Sequence, residues 1–196
     1  MRGISVVGSG ISVPDKVVTN DDLSATLDTN DAWIVERTGI KERRVGGITS
    51  QMAIEAGRRA IEDAGLQPTD IDVVLLATTT PDALVPGTSA TVQAGIGVPG
   101  GAFDVNAACS GFVYGLVTAA GLAAIGSGRV LVVGSDALSR ITDWDDRTMA
   151  VLVGDGAGAV VVEPVDGPGD LLSWNFGADG TLRHLLMCDH GGYLYM

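Results

Sequence analysis

Apolar residues in this chain fall into two alternating patterns, short unbroken runs and helically spaced stripes. Ile4–Val7 predicts a first strand, and Ala102–Val105 a later one. Ile71–Ala77 and Arg129–Gly134, apolar apart from Asp72 and Arg129, are the runs expected of strands buried on both faces. Between them, Ala53, Ala56, Ala60, Ile61 and Ala64 recur at helical spacing, with Ser50 as a candidate cap and Gly65 as a stop. Asn20-Asp21-Asp22 and Thr29-Asn30-Asp31 read as the caps of two short helices, the second carrying Trp33. A short helix is expected after Pro86, ending near Gly95, and a longer one from Cys109 to about Ile125. Ala157–Val162 and Leu171–Phe176 predict two strands joined by a turn at Gly167-Pro168-Gly169. The order is βαβαβαβ followed by two strands. It places the chain in the α/β class, with a mixed, mainly parallel sheet covered by helices.

Composition supports that class. The 196 residues are 46% hydrophobic and 18% charged, which fits a packed globular chain and not a disordered one. Twenty-eight glycines with only 5% aromatics point to closely stacked layers. No charged residue occurs from Val105 to Gly128, which raises the question of a membrane span. That stretch includes a strand, so its helical part falls short of the ~20 residues a span requires. A fully buried helix is expected instead. The first residues run straight into a strand without a secretory signal, so a cytoplasmic chain is expected.

A formal charge of −12 argues against a nucleic-acid partner, which requires a basic face. Yet Arg37, Lys41, Arg43 and Arg44 put four of the twelve basic residues within eight positions. They form either a solvated face balanced by Glu36 and Glu42, or a seat for an anionic ligand or an acidic partner protein. The two cysteines, Cys109 and Cys188, lie in unlike surroundings without metal-type spacing. Neither a disulfide framework nor a metal site is expected.

Cys109 is the most informative residue. It sits in Asp104-Val105-Asn106-Ala107-Ala108-Cys109-Ser110-Gly111-Phe112, between a predicted strand and a predicted helix. A thiol at such a turn faces the positive end of the helix dipole, which favours the thiolate. Ala107, Ala108 and Gly111 leave room for close backbone approach. The competing reading is a buried structural cysteine, the commoner role for a single Cys. Ala107-x-Cys109-x-Gly111 partly resembles a nucleophile elbow, for which only His184 and His190 are available as bases. The glycine runs are weaker signals. Gly8-Ser9-Gly10 has Val13 where a dinucleotide fingerprint needs its third glycine. Gly154-Asp155-Gly156-Ala157-Gly158 also fails that spacing and reads as a tight turn where backbones pack closely.

Four stretches together resemble the 3-oxoacyl-[acyl-carrier-protein] synthase III family, condensing enzymes of the thiolase superfamily. They are Asp31–Ile40 with Arg43-Arg44; Ala77-Thr78-Thr79-Thr80-Pro81; Asp104–Phe112; and Val132–Asp136 with Gly154–Ala159. The resemblance implies a thiolase-like fold and Cys109 as the nucleophile that takes an acyl group from acyl-CoA. It implies that Trp33 stacks on the CoA adenine, with Arg37 and Arg147 at the nucleotide end and Thr29 nearby. Purine and phosphates suit a flat aromatic and guanidinium groups. The alternative for Trp33 is core filler. Arg43 and Arg44 would extend the positive surface toward CoA or an acidic carrier protein. Leu138 and Val153 match acyl-pocket positions. Val85 matches a residue that reaches across a homodimer into the partner's pocket, and its small size would admit a primer longer or more branched than acetyl.

The same resemblance implies acyl-CoA and acyl carrier protein as partners, with no cofactor beyond the substrates. Family members are longer and built of two similar halves. Residues 1–170 match the N-terminal half that carries the nucleophile, and 171–196 the start of the linker. The family's catalytic His and Asn lie in the other half, so the chain reads as truncated. Two other readings stay open: a half-length protein that binds CoA, acyl thioesters or a relative without condensing them, and a Cys-dependent acyltransferase or thioesterase.

Overall fold

The computed structural model describes residues 2–189, 194 and 195. The chain runs through β1 (Arg2–Ser12), β2 (Val17–Thr19), α1 (Asn20–Ser24), α2 (Asp31–Thr38) and β3 (Glu42–Arg44). It continues with α3 (Thr49–Asp63), β4 (Val73–Ala77), α4 (Thr88–Ile96), β5 (Gly101–Val105) and α5 (Gly111–Ala124). After these come β6 (Val130–Ala137), α6 (Arg147–Ala150), β7 (Asp155–Gly169), β8 (Met187–Cys188) and β9 (Leu194–Tyr195). Two compact units result. One takes the chain up to Val13, Ile48–Asp136 and Gly156–Asn175; the other takes Pro14–Gly47, Ala137–Asp155 and the described residues from Phe176.

The first unit is built on a five-stranded sheet in the order β1-β7-β6-β4-β5. β4 runs parallel to β5 and β6, and β1 runs antiparallel to β7. The sheet is therefore mixed, as the sequence predicted. Val130 to Val133 on β6 are all at most 1% exposed, so helices must cover both faces. On one face a Cβ at Gly57 of α3 would lie 3.0 Å from Leu131; on the other, one at Gly115 of α5 would lie 2.9 Å from Val132. Side chains that alternate along a strand thus meet different helices. Gly8 and Gly10 let β1 touch α3, because a methyl there would run into the backbone of Ala60 and Ala56. Their spacing serves helix–strand contact.

α5 departs from the fully buried helix that was expected. Gly111, Gly115, Ala119 and Ala123 are buried, while Phe112, Leu116 and Leu122 are half-buried and Val113 is 48% exposed. The smallest residues form the stripe against the sheet, so the larger ones lie on the flanks and the outer side. No described helix is long and apolar enough to cross a membrane.

Ser50 does not cap α3. The cap is Ile48, without a side-chain bond, and the Ser50 N–H instead meets Asp82 Oδ1 at 3.4 Å. A tertiary carboxylate replaces the local cap. Leu171–Phe176 is not a strand. The turn before it exists, with positive φ at Gly167 and Gly169, but it returns the chain against β1. Ile4 faces both Pro164 and Gly169, and the Asp170 N–H donates to Ile4 O at 2.7 Å. The run from Gly154 opens a strand and is not a tight turn; its close approach is limited to Gly154, where a Cβ would lie 3.1 Å from Arg44 O.

The second unit is smaller. β2 and β3 form an antiparallel ribbon. Thr19, and not Asn20, caps α1 in a reciprocal box with Asp22. Asn30 caps α2 as expected, accepting from the Trp33 N–H at 2.9 Å. Leu23, Ile34 and Val151 form the core, with Val18, Leu27, Trp33 and Trp144 packed around it.

Candidate active site

In the first unit, β5 ends at Val105 and a 3-10 turn spans Ala108–Ser110 before α5 begins at Gly111. Ala108 has φ +46°, in the left-handed region that non-glycine residues rarely enter. The turn is fixed from both sides. The Ala108 N–H donates to Asn106 Oδ1 at 3.3 Å, and the Ser110 N–H donates to Ala107 O at 3.1 Å. Gly111 lets the helix start close to β4, since a Cβ there would lie 3.1 Å from Ala77 Cβ. Cys109 is exposed on this turn. The buried structural cysteine is thereby excluded.

In the second unit, both the Arg37 and Arg147 guanidinium carbons lie over the Trp33 ring, 4.4 and 4.9 Å from its centroid. Arg37 reaches it from one turn further along α2, and Arg147 from α6. Arg147 also donates to Asp28 O at 2.8 Å. Trp33 is half-buried: one part packs on the core and the rest meets cations. The Thr29 hydroxyl oxygen is buried and has no hydrogen-bond partner among the described residues. The four residues read from the sequence therefore share one unit. They are chemically suited to a purine flanked by phosphates.

Arg43 does not extend a positive surface. It is 5% exposed, and burial lowers its pKa from the ordinary guanidinium value. Arg44 remains half-exposed, 3.7 Å from Glu42. Leu138 is half-buried and Val153 is 9% exposed. Asp155, two residues past Val153, accepts from the Ser139 N–H at 2.8 Å and hydroxyl at 2.6 Å, which draws those two segments together. Val85 belongs to the first unit and is 81% exposed. His184 is exposed in the second unit, its Nδ1 3.2 Å from Thr181 O. His190 lies outside the described residues. No group of three or more metal-ligating side chains occurs among the described residues.

Two acids near the ends of β5 and β6 were missed from the sequence. Asp104 on β5 accepts from the Thr88 and Ser89 N–H groups at 2.9 and 2.7 Å, capping α4 from another element. Asp136 Oδ1 gathers the hydroxyls of Thr78, Thr79 and Thr80 and two of their N–H groups within 3.1 Å. The available signal was an acid at the end of an apolar strand, which must find donors when it is drawn inward.

The family profile described as 3-Oxoacyl-[acyl-carrier-protein (ACP)] synthase III matches residues 103–180. The Beta-ketoacyl-[acyl-carrier-protein] synthase III of Erythrobacter litoralis is 50% identical, covering 95% of this chain and 61% of that protein. In sequence and fold, the chain is similar to 3-oxoacyl-[acyl-carrier-protein] synthase III proteins over about three fifths of their length. The synthase III crystal structure from Aquifex aeolicus superposes with a TM-score of 0.95 at 43% identity, covering 99% of this chain and 64% of its own. The priming β-ketosynthase of the R1128 polyketide pathway gives 0.82 at 37% identity, over 85% and 52%. The fold is thus thiolase-like. The chain spans about 60% of the length of the synthase III relatives it matches.

Proposed function

We propose that this chain carries the acyl-accepting part of a condensing enzyme that starts fatty-acid or polyketide chains. The Cys109 thiolate attacks the carbonyl carbon of an acyl-CoA. A carbon–sulfur bond to Cys109 forms, the oxyanion collapses, and the bond to the CoA sulfur breaks. CoA leaves as a thiolate and takes up a proton. The Cys109 N–H is one oxyanion donor in this reading, and a single donor of that kind is worth on the order of 10²–10³ in rate. Thr29, Trp33, Arg37 and Arg147 hold the nucleotide end of CoA. In this reading Leu138 and Val153 line the acyl pocket, and Val85 reaches into the pocket of a second copy, leaving room for a primer beyond acetyl.

In the second step a malonyl group on acyl carrier protein loses CO2. Its carbanion equivalent attacks the thioester carbon and releases the Cys109 thiolate. The resemblance assigns that step's His and Asn to the family's second half. The matched relatives are longer than the share this chain covers. The reading takes residues 1–170 as a thiolase-like half and 171–196 as the start of a linker. It includes a homodimer of the thiolase type, a cytoplasmic location, and no cofactor beyond the substrates.

The observation that carries this reading is the exposed Cys109 held on a turn with a positive-φ alanine behind it. Intact mass after incubation with acyl-CoAs of increasing chain length tests it. The expected result is one acyl adduct per chain, lost in Cys109→Ser and formed with primers longer than acetyl. Absence of any adduct would overturn acyl transfer, and strict acetyl preference would remove the role given to Val85.

A further inference from the structure

Arg43 is a buried cation whose hydrogen-bond partners are all neutral. Its Nη1 donates to Val18 O at 3.1 Å, and its Nη2 to Asn20 Oδ1 at 2.8 Å and Val151 O at 3.3 Å. Its Nε is buried without a hydrogen-bond partner among the described residues. Burying a guanidinium without a direct carboxylate is costly, and an apolar side chain of similar volume would avoid that cost. The arrangement therefore calls for a reason beyond filling space.

The reason lies in what the three acceptors belong to. Val151 is the C-cap of α6, the helix that carries Arg147. Asn20 is 1% exposed, and its amide nitrogen donates to Asp31 Oδ1 and to Ile40 O, both at 2.8 Å. Asp31 is the first residue of α2, and Ile40 follows its C-cap Gly39. One carboxamide thus holds both ends of the helix that carries Trp33 and Arg37. We propose that Arg43 and Asn20 are positioning residues for the nucleotide end of CoA, tying the α6 terminus to both ends of α2 and so setting the spacing of Arg147, Arg37 and Trp33.

A planar fork can reach three acceptors at once, which a lysine ammonium on a flexible stem cannot do in the same geometry. The spacing matters because stacking and guanidinium contacts weaken steeply with small displacements, and a shift of about 1 Å can cost on the order of 10²-fold in a positioned site. Neither residue is assigned contact with the ligand. The inference rests on the assignment of Trp33, Arg37 and Arg147 to the nucleotide.

Two probes separate positioning from general damage. Adenosine 3′,5′-bisphosphate, titrated calorimetrically, reads the nucleotide cluster alone. Acylation of Cys109 by an acyl-pantetheine thioester, read by intact mass, bypasses that cluster. Arg43→Lys and Asn20→Asp are the chosen variants. Asn20→Asp keeps an acceptor for Arg43 but sets a carboxylate oxygen against Asp31 and the Ile40 carbonyl, so it breaks both ties to α2 while leaving the Arg43 contact in place. Each is expected to weaken bisphosphate binding about tenfold, with helix content retained and acyl-pantetheine acylation within about twofold of the parent chain. On a Trp33→Ala background Asn20→Asp is expected to add less loss than in the parent chain, since the spacing then serves only the two guanidiniums.

Unchanged bisphosphate affinity in folded variants overturns the proposal, as does a parallel fall in acyl-pantetheine acylation. If Trp33→Ala itself leaves bisphosphate binding intact, the nucleotide assignment fails and this inference fails with it. Loss on Trp33→Ala without loss on Asn20→Asp or Arg43→Lys removes the positioning role alone.

Discussion

Gly8 is a residue whose role is set by what lies across from it. A methyl there would meet the backbone of α3 at Ala60 and Ala64, which cannot yield as a side-chain tip can. Gly8→Ala should therefore destabilise the chain by about 1–3 kcal/mol, the usual cost of overpacking. Gly158 is the control. It lies in β7 at ordinary φ, with nothing within 4 Å of an added Cβ. Gly158→Ala should fall within about 0.5 kcal/mol of the parent in urea denaturation. Equal effects at the two positions would show that close approach is not what Gly8 supplies. Spacing argued against a dinucleotide loop at Gly8-Ser9-Gly10, and the three residues lie within β1. The positive reason for the glycines was not readable, because it depends on a helix some fifty residues later in the chain. The turn that carries Cys109 was readable, because small residues between a strand and a helix are a local pattern.

Among the elements, those defined by local pattern emerged near their predicted places: β4, β6, α2 and the alanine stripe of α3. Those that depend on distant partners did not. Leu171–Phe176 has strand-like composition, but a strand forms only where it pairs, and composition does not say whether pairing follows. The fully buried reading of α5 failed for a related reason, since an uncharged sequence cannot reveal which side meets the sheet. The end of β7 shows the same dependence and gives a test. Asp170 accepts from the Ser5 hydroxyl at 2.6 Å and the Val6 N–H at 2.9 Å. The Ser5 bond first, then the Val6 bond, hold its carboxyl below the ordinary value of 3.8. A carboxylate with a lowered folded pKa stabilises fully above its unfolded value and loses that contribution as pH falls through the folded one. The gap in melting temperature between the parent and Asp170→Asn should be constant from about pH 7 to 5 and shrink below about pH 4. A gap that persists to pH 2.5 would mean that the pairing of β1 with β7 does not use this charge.

Across the whole chain, net charge and local charge act on an anionic ligand with opposite signs. The formal charge is −12, while Arg37 and Arg147 sit within 5 Å of the Trp33 centroid. Composition alone could not say which basic residues face a ligand; of the four clustered between positions 37 and 44, Arg43 is buried and Arg37 lies over the ring. Salt separates the two effects by distance. Raising ionic strength from about 0.01 to 0.1 M shortens the Debye length from ~30 to ~10 Å. Repulsion from the rest of the chain acts over tens of ångströms and is screened first, whereas contacts of a few ångströms persist. The association rate of adenosine 3′,5′-bisphosphate, followed by stopped-flow tryptophan fluorescence, should therefore rise over that interval. Affinity should then fall above about 0.3 M as the contacts themselves weaken, and fall less steeply in Arg147→Gln, which has one cation fewer to screen. An association rate that declines from the lowest salt onward would mean that the guanidinium pair governs approach as well as contact, and that the acidic remainder of the chain lies too far from the ligand's path to oppose it.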